Sequence, residues 1–308
     1  MGTPHFAVPT FRALIEVAHV AAAVTNPDRR SGRGRKIMPP PVKVEAENAG
    51  ITVFQPERIR NRSAVEVLGS FDAELFIVVA YGSILPRRVL EIPRAGCINV
   101  HASLLPKYRG AAPINWALIN GEKETGVSIM KMDEGMDTGP VLAVEKTTVY
   151  EEDNVTGLSE RLSRLGAELL VKTMEKAASN GVQAVEQKDE DATRAPMLKK
   201  EDGRLHWNRS AEEIAGRIRG TDPWPGGHTF FRGEKLKLFR PRVVAGSGRP
   251  GEVLGVDAGA LVVACADGAV ALKELQFPGK RRMEACCLLC GCPIRAGDIL
   301  GNSGEAGI

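Results

Sequence analysis

The segment ELFIVVA, residues 74–80, is apolar without a break after its first residue, Glu74, and is of strand length. A strand that is apolar on both sides must be covered on both faces. That is the situation inside a parallel sheet flanked by helices, not in an antiparallel sheet with one wet face. The surrounding residues agree. Residues 10–17 carry a helical pattern, 18–25 a strand pattern, 41–49 a helical pattern stopped by Gly50, 51–54 a short strand and 62–70 a helix. Such alternation predicts an α/β, Rossmann-like parallel-sheet domain. CINVH (97–101) reads as the next strand, 111–120 as a helix ended by Gly121, and 127–133 and 141–149 as an antiparallel pair. A long amphipathic helix is expected over 155–179, with Asn154 as its cap.

Residues 181–203 are polar, charged and broken by Pro196, so they read as a linker between a domain at 1–180 and another at 204–308. Beyond it, Ser210 and Glu213 form a capping-box pattern before a helix that stops at Gly220. Short, evenly spaced strands follow at 228–232, 235–244, 252–256, 260–265 and 268–275. That spacing suggests a small β-barrel. A length of 308 residues accommodates two such domains, and 43% apolar with 26% charged residues is the composition of a soluble globular protein. No apolar run approaches the roughly 20 residues that span a bilayer, and no signal-peptide pattern opens the chain, so a cytoplasmic location is expected. The net charge of +3 permits nucleic-acid binding without demanding it.

Two short segments carry the chemistry. In CINVHASLLP (97–106), Ile98 and Val100 alternate with Asn99 and His101, so the two polar side chains emerge on one face of a strand. An amide and an imidazole so placed can converge on one carbonyl. In MDEGMDTGP (132–140), Asp137 sits in a Gly-rich turn from which it could orient the imidazole. Asn, His and Asp suit acyl transfer without a covalent intermediate, because no Ser or Cys nucleophile is required at the centre. A histidine buried for packing at the rim of a strand is the competing reading of His101.

The longer string NVHASLLPKYRGAAPINWALINGEKETGVSIMKMDEGMDTGPVL, residues 99–142, resembles the signature stretch of the folate-dependent formyltransferases, and within them the methionyl-tRNA formyltransferase family. The resemblance runs from Met1 to about Gly301. It implies that Asn99, His101 and Asp137 are the catalytic set, and that 10-formyltetrahydrofolate is the donor, with no metal. It implies that the loop AYGSILP (80–86), with Ser83, Ile84 and Leu85, and the loop Ser103, Leu104, Leu105 and Pro106 line the folate site. The first of these loops leaves the carboxyl end of a buried strand, where ligands bind in open α/β sheets. It implies an OB-like barrel for the second domain. It also implies initiator methionyl-tRNA as acceptor and partner, with no membrane and no obligate protein partner.

The basic stretch 25–43 lies between a strand and a helix, and Arg29, Arg30, Arg33, Arg35 and Lys36 face only one acid there, Asp28. A solvated, mobile loop held loose by Gly32 and Gly34 is one reading; an arm contacting tRNA phosphates and bases is the reading the resemblance favours. Lys107 and Arg109 could add charge near the aminoacyl end, and the basic residues of the barrel could track the rest of the tRNA. Four thiols, Cys286, Cys287, Cys290 and Cys292, crowd into ACCLLCGC, but no second Cys/His pair exists to complete a zinc site, so reduced, incidental thiols are expected.

The family opens with a short apolar strand before the MGTP turn, central in its sheet, and this chain opens at Met1-Gly2-Thr3-Pro4. Either the start lies at an internal methionine or the strand is lacking. The expectation is an unfilled slot beside ELFIVVA and a poorly soluble or weakly active protein. Two rival functions remain open: a formyltransferase acting on an amino sugar nucleotide, and a non-catalytic RNA-binding relative.

Overall fold

A computed structural model describes residues 1–31, 36–179, 181–289 and 294–301. The chain forms two compact units. The first comprises Met1–Pro113, Glu124–Thr147 and Ser159–Pro196; the second comprises Ile114–Lys123, Thr148–Leu158 and the chain from Met197 onward. No helix among the described residues is long and apolar enough to cross a membrane.

In chain order the first half runs α1 (Val8–Val17), β1 (Ala23–Val24), β2 (Arg29–Ser31), β3 (Lys36–Met38), α2 (Pro41–Asn48), β4 (Val53–Phe54), α3 (Arg62–Ser70), β5 (Phe76–Val78), α4 (Arg87–Leu90), β6 (Cys97–His101), α5 (Pro113–Ile119), β7 (Glu124–Lys131), β8 (Val141–Thr148) and α6 (Val155–Ser179). Parallel pairing joins β1 to β4 and β5 to β6, and the antiparallel strands β7 and β8 extend the sheet beyond β6. The apolar side chains of Val24, Leu68, Phe76, Val78, Leu85, Val89 and Cys97 form one core of this unit. The cap expected for α6 is present, with Asn154 Oδ1 accepting the Gly157 N–H at 3.0 Å.

Among the described residues, only Met1 and Gly2 stand between β1 and β5. The Gly2 N–H donates to the Val24 carbonyl at 3.0 Å, and the Val79 N–H donates to the Met1 carbonyl at 2.9 Å. The terminal nitrogen donates to the Ile77 carbonyl at 2.6 Å. Two residues thus stitch the halves of the sheet together. Alongside them lies a cavity of about 640 Å³, lined among others by Leu14, Ala21, Ala23, Phe71, Leu75 and Ile77. Burial pushes the terminal amine down to about 5. The slot also explains why the strand expected over 18–25 narrows to Ala23–Val24: a strand exists only where a neighbour receives its hydrogen bonds.

The basic stretch departs from the loop expected of it. Its flanks pair as an antiparallel hairpin, Arg29 opposite Met38 and Arg30 opposite Ile37. Residues 182–196, polar enough to read as a linker, lie along the first unit. Val185 bridges Val141 and Arg194 bridges Arg109, so the segment has ladder partners at both ends.

The second unit adds α7 (Ala211–Thr221), β9 (His228–Phe231), β10 (Glu234–Val244), β11 (Val253–Asp257), β12 (Ala260–Ala264), β13 (Ala269–Gln276), β14 (Met283–Glu284) and α8 (Ala285–Leu289). The capping box at α7 is reciprocal, as expected: Glu213 N–H donates to Ser210 Oγ at 3.1 Å and Ser210 N–H to Glu213 Oε2 at 3.0 Å. The strands form an antiparallel, curled sheet in the order β11-β12-β13-β10-β9. Residues 297–301 bond to both of its edges, Leu300 N–H to the Gly251 carbonyl and Gly301 N–H to the Phe230 carbonyl, each at 2.8 Å. The sheet therefore closes towards a barrel around Trp207, Ile214, Leu236, Leu238, Leu261 and Leu272.

Candidate active site

Strand β6 positions the first two candidates. Asn99 stands opposite Met130 and His101 opposite Ser128 on β7, so a two-residue spacing puts both on one face at the strand's end. The turn that follows β7 supplies the third. Asp133 Oδ1 accepts the Gly135 N–H at 3.0 Å and the Thr138 hydroxyl at 2.7 Å, which folds 133–138 back on itself. Gly139 is required there, since a Cβ would lie 2.0 Å from the Lys131 carbonyl oxygen. Asp137 itself adopts φ 56°. A side chain in the left-handed region costs about 1–2 kcal/mol, so the surroundings must hold it.

The three side chains converge. Asn99 Nδ2 donates to Asp137 Oδ1 at 3.3 Å, and Asp137 Oδ2 lies 3.6 Å from His101 Nδ1. Asp137 Oδ2 also accepts the Gly110 N–H at 2.8 Å. Gly110 has φ 126°, and a Cβ there would meet the Ala195 carbonyl oxygen at 2.6 Å, so only glycine brings this N–H to the carboxylate. His101 Nε2 lies 3.0 Å from the Tyr108 carbonyl oxygen. A carbonyl only accepts, so Nε2 carries a hydrogen and Nδ1 faces the carboxylate. The His101 side chain is 6% exposed and that of Asp137 16%, which places the carboxylate and the ring together in a weakly solvated pocket. An amide donor, an imidazole and a carboxylate in this order can stabilise an oxyanion and relay a proton.

The two loops expected to line the folate site sit at the carboxyl ends of β5 and β6. In the first, Ser83 and Ile84 are exposed and Leu85 is buried. Asn26 braces it, donating from Nδ2 to the Tyr81 carbonyl at 2.7 Å and to Thr3 Oγ1 at 3.1 Å. In the second, Leu104 and Pro106 are half-buried, while Ser103 and Leu105 are buried. The Ser103 hydroxyl donates to the Lys107 carbonyl at 2.6 Å, and Ser128 Oγ bonds both the Ser103 carbonyl and the Leu105 N–H. Ser103 is therefore a brace of its own loop.

Of the basic candidates, Arg29 and Lys107 are exposed. Arg30 and Lys36 belong to the β2–β3 hairpin, and Arg33 and Arg35 lie outside the described residues. Asp28 is drawn off by Lys43 at 2.8 Å and by Gln55, contacts that hold its carboxyl below the usual carboxylate range. Arg109 is enclosed: its side chain is 11% exposed, Nε donates to Gln187 Oε1 at 3.0 Å and Nη1 pairs with Asp189 at 2.8 Å. Sequence reasoning missed Gln187 and the Tyr108 carbonyl. No periodicity marks the first, and a backbone group carries no signature in sequence.

Burial raises the Cys97 thiol to about 11 and the Cys265 thiol to about 12, which suits reduced, unreactive side chains. Cys286 and Cys287 are exposed, with donor atoms within 4.8 Å of one another and of Glu284. Cys290 and Cys292 lie outside the described residues.

Comparison with known proteins fixes the class. Residues 2–174 match the formyl transferase family, and residues 197–293 match the formyl transferase C-terminal domain. The chain belongs to the formyl transferase family, a family of enzymes. It is 49% identical to the methionyl-tRNA formyltransferase of Pelobacter propionicus over 98% of this chain and 95% of that one. It is 46% identical to that of Geobacter metallireducens over 98% and 97%. Solved structures of similar fold include the N-formyltransferase from Helicobacter canadensis in complex with folinic acid and dTDP-3-aminofucose. It has 16% identity and a TM-score of 0.65, covering 88% of this chain and 96% of that one. HypX from Aquifex aeolicus in complex with tetrahydrofolic acid has 20% identity and a TM-score of 0.59, covering 80% and 43%.

Proposed function

We propose that the protein transfers the formyl group of 10-formyltetrahydrofolate to the α-amine of initiator methionyl-tRNA. The observation that carries this reading is the convergence of Asn99, His101 and Asp137 at the end of β6, in a chain so similar to methionyl-tRNA formyltransferases along nearly its whole length. An α-amino group has a pKa near 8, so a useful fraction is neutral at working pH. That neutral amine attacks the formyl carbon. The carbonyl oxygen becomes an oxyanion, stabilised by the second N–H of Asn99 and by the His101 Nε2–H, which exchanges the Tyr108 carbonyl for the substrate oxygen. Asp137 fixes the ring and assists the proton of the attacking nitrogen to the departing folate nitrogen, which leaves with the electron pair of the broken C–N bond. No nucleophilic side chain enters the sequence. Ser83, Ile84, Leu85 and residues 103–106 form the folate side of the site. Arg29, Arg30 and Lys36 of the β2–β3 hairpin, together with Arg33, Arg35 and Lys107, meet the tRNA.

The test is formyl transfer from 10-formyltetrahydrofolate to three acceptors: charged initiator tRNA, charged elongator methionyl-tRNA and an amino sugar nucleotide. Strong preference for the initiator is expected. Preference for the sugar nucleotide, or binding of tRNA without turnover, would overturn the reading in favour of the two rivals named above.

A further inference from the structure

Gln187 is placed where no catalytic motif reaches. Its Nε2 donates to two carbonyls of the Asp137 turn, those of Asp137 at 3.0 Å and Gly139 at 2.6 Å. Its Oε1 accepts from Arg109 Nε, and Arg109 is in turn anchored to Asp189. Arg109 lies between Tyr108, whose carbonyl holds His101, and Gly110, whose N–H holds the Asp137 carboxylate. Both ends of the segment carrying Gln187 are tied down. Val185 pairs with Val141, just past the turn. Thr193 Oγ1 accepts the Tyr108 N–H at 2.8 Å, and Ala195 exchanges backbone hydrogen bonds with Arg109 and Ala112. The segment therefore grips the two backbone pieces that present the carboxylate and the imidazole to each other.

We infer that Gln187 is a positioning residue for formyl transfer, holding the strained Asp137 turn so that its carboxylate faces His101, and that Arg109 positions Gln187. The inference rests on the assignment of Asp137 as the group that orients His101. Asp137 holds an unfavourable φ, and the bonds within 133–138 fix the start of the turn but not the carbonyls of 137 and 139. Gln187 supplies what those bonds omit. A primary amide suits the task because one nitrogen with two hydrogens can serve two carbonyls while its oxygen stays with a guanidinium.

Two substitutions test this. Gln187→Leu removes both donors and the acceptor at similar volume. Gln187→Glu keeps the shape and the Arg109 contact but removes the donors. Both are expected to lower kcat by about 10–100-fold with KM for folate and tRNA within twofold and with cooperative melting retained. Each is also measured on an Asp137→Asn background. If Gln187 acts through Asp137, its loss adds nothing there. A full multiplicative effect on that background, or kcat restored by Gln187→Glu, would overturn the inference and leave Gln187 a packing residue. Unchanged kcat in both single variants would also overturn it. Full activity of Asp137→Asn by itself would instead overturn the assignment of Asp137, which separates the two failures. Arg109→Ala supplies a further arm: a fall in kcat with an unchanged salt dependence for tRNA supports the chain Arg109–Gln187–Asp137, and a flattened salt dependence with normal kcat refutes it.

Discussion

Filling the slot between β1 and β5 should stabilise the protein by a calculable amount. The perturbation is a five-residue apolar segment of the kind MRIVF placed before Met1, continuing the extended backbone of Met1–Gly2. The cavity of about 640 Å³ is large enough for several side chains, and its walls are mostly alanine, leucine, isoleucine and phenylalanine. Three buried apolar side chains at about 2 kcal/mol each contribute roughly 6 kcal/mol. Four or five new ladder hydrogen bonds at about 1 kcal/mol each contribute roughly 5 kcal/mol. Ordering five residues costs roughly 7 kcal/mol. A further term comes from the terminal amine, which burial lowers from 8.0 to about 5. Such an amine takes up its proton in the unfolded chain first, so stability falls as pH drops from 8 to 5 and is level outside that window. At pH 7 the penalty is about 1.4 kcal/mol, one unit below the unfolded value, and it disappears when the terminus moves out to solvent. The sum is a gain of about 5 kcal/mol, or roughly 10–20 °C for a unit of this size. Thermal melts of the two forms at pH 6, 7 and 8.5 read it directly. The form beginning at Met1 should lose stability towards pH 6 and the lengthened form should lose less. Equal melting temperatures with parallel pH dependence would show that the slot is closed in solution by repacking, and the reasoning would fail.

Other consequences can be checked at the bench. His101→Ala should lower formyl transfer by about 10²–10⁴ while folate binding, followed by fluorescence, persists; near-normal turnover would refute the mechanism. Neutralising Arg33 and Arg35 together should raise KM for methionyl-tRNA and flatten its salt dependence without altering folate affinity; an unaltered salt slope would show that these two arginines do not meet the tRNA. Gly110→Ala should be inactive at temperatures where it is still folded, because the added Cβ would press on the Ala195 carbonyl and displace the N–H bonded to Asp137; activity within twofold of the parent would contradict that. Ser210→Ala should lower stability by about 1 kcal/mol through loss of the α7 cap, measured by urea titration.

What the sequence reveals is what local rules decide. The α3 and α6 helices, the α7 capping box and the β6 strand follow from apolar spacing and terminal residues, and the Asn99–His101 face follows from a period of two. The convergence of Asp137 on that face needed the string resemblance, since a turn's destination is not written in its own residues. Two things were illegible. Strand length at β1 depends on what lies beside it, and the slot shortens it whatever its β propensity. The segment 182–196 is polar, holds a proline and lacks a period, so it resembles a free connector; its order comes from backbone pairing with Val141 and Arg109. For the same reason Arg109 reads as a free cation, although Gln187 and Asp189 enclose it.

That segment has a consequence for how such proteins can be recombined. The region matched to the catalytic family ends at residue 174 and the next match begins at residue 197. A chimaera cut between residues 174 and 185 would inherit its Asp137 turn from one parent and the bracket that supports it from the other. The natural seam on this side of the first unit is therefore after Pro196, where the unit itself ends. Hybrids spliced there should keep the donor parent's rate of chemistry, whereas hybrids spliced near residue 180 should depend on whether the second parent happens to bring a compatible amide.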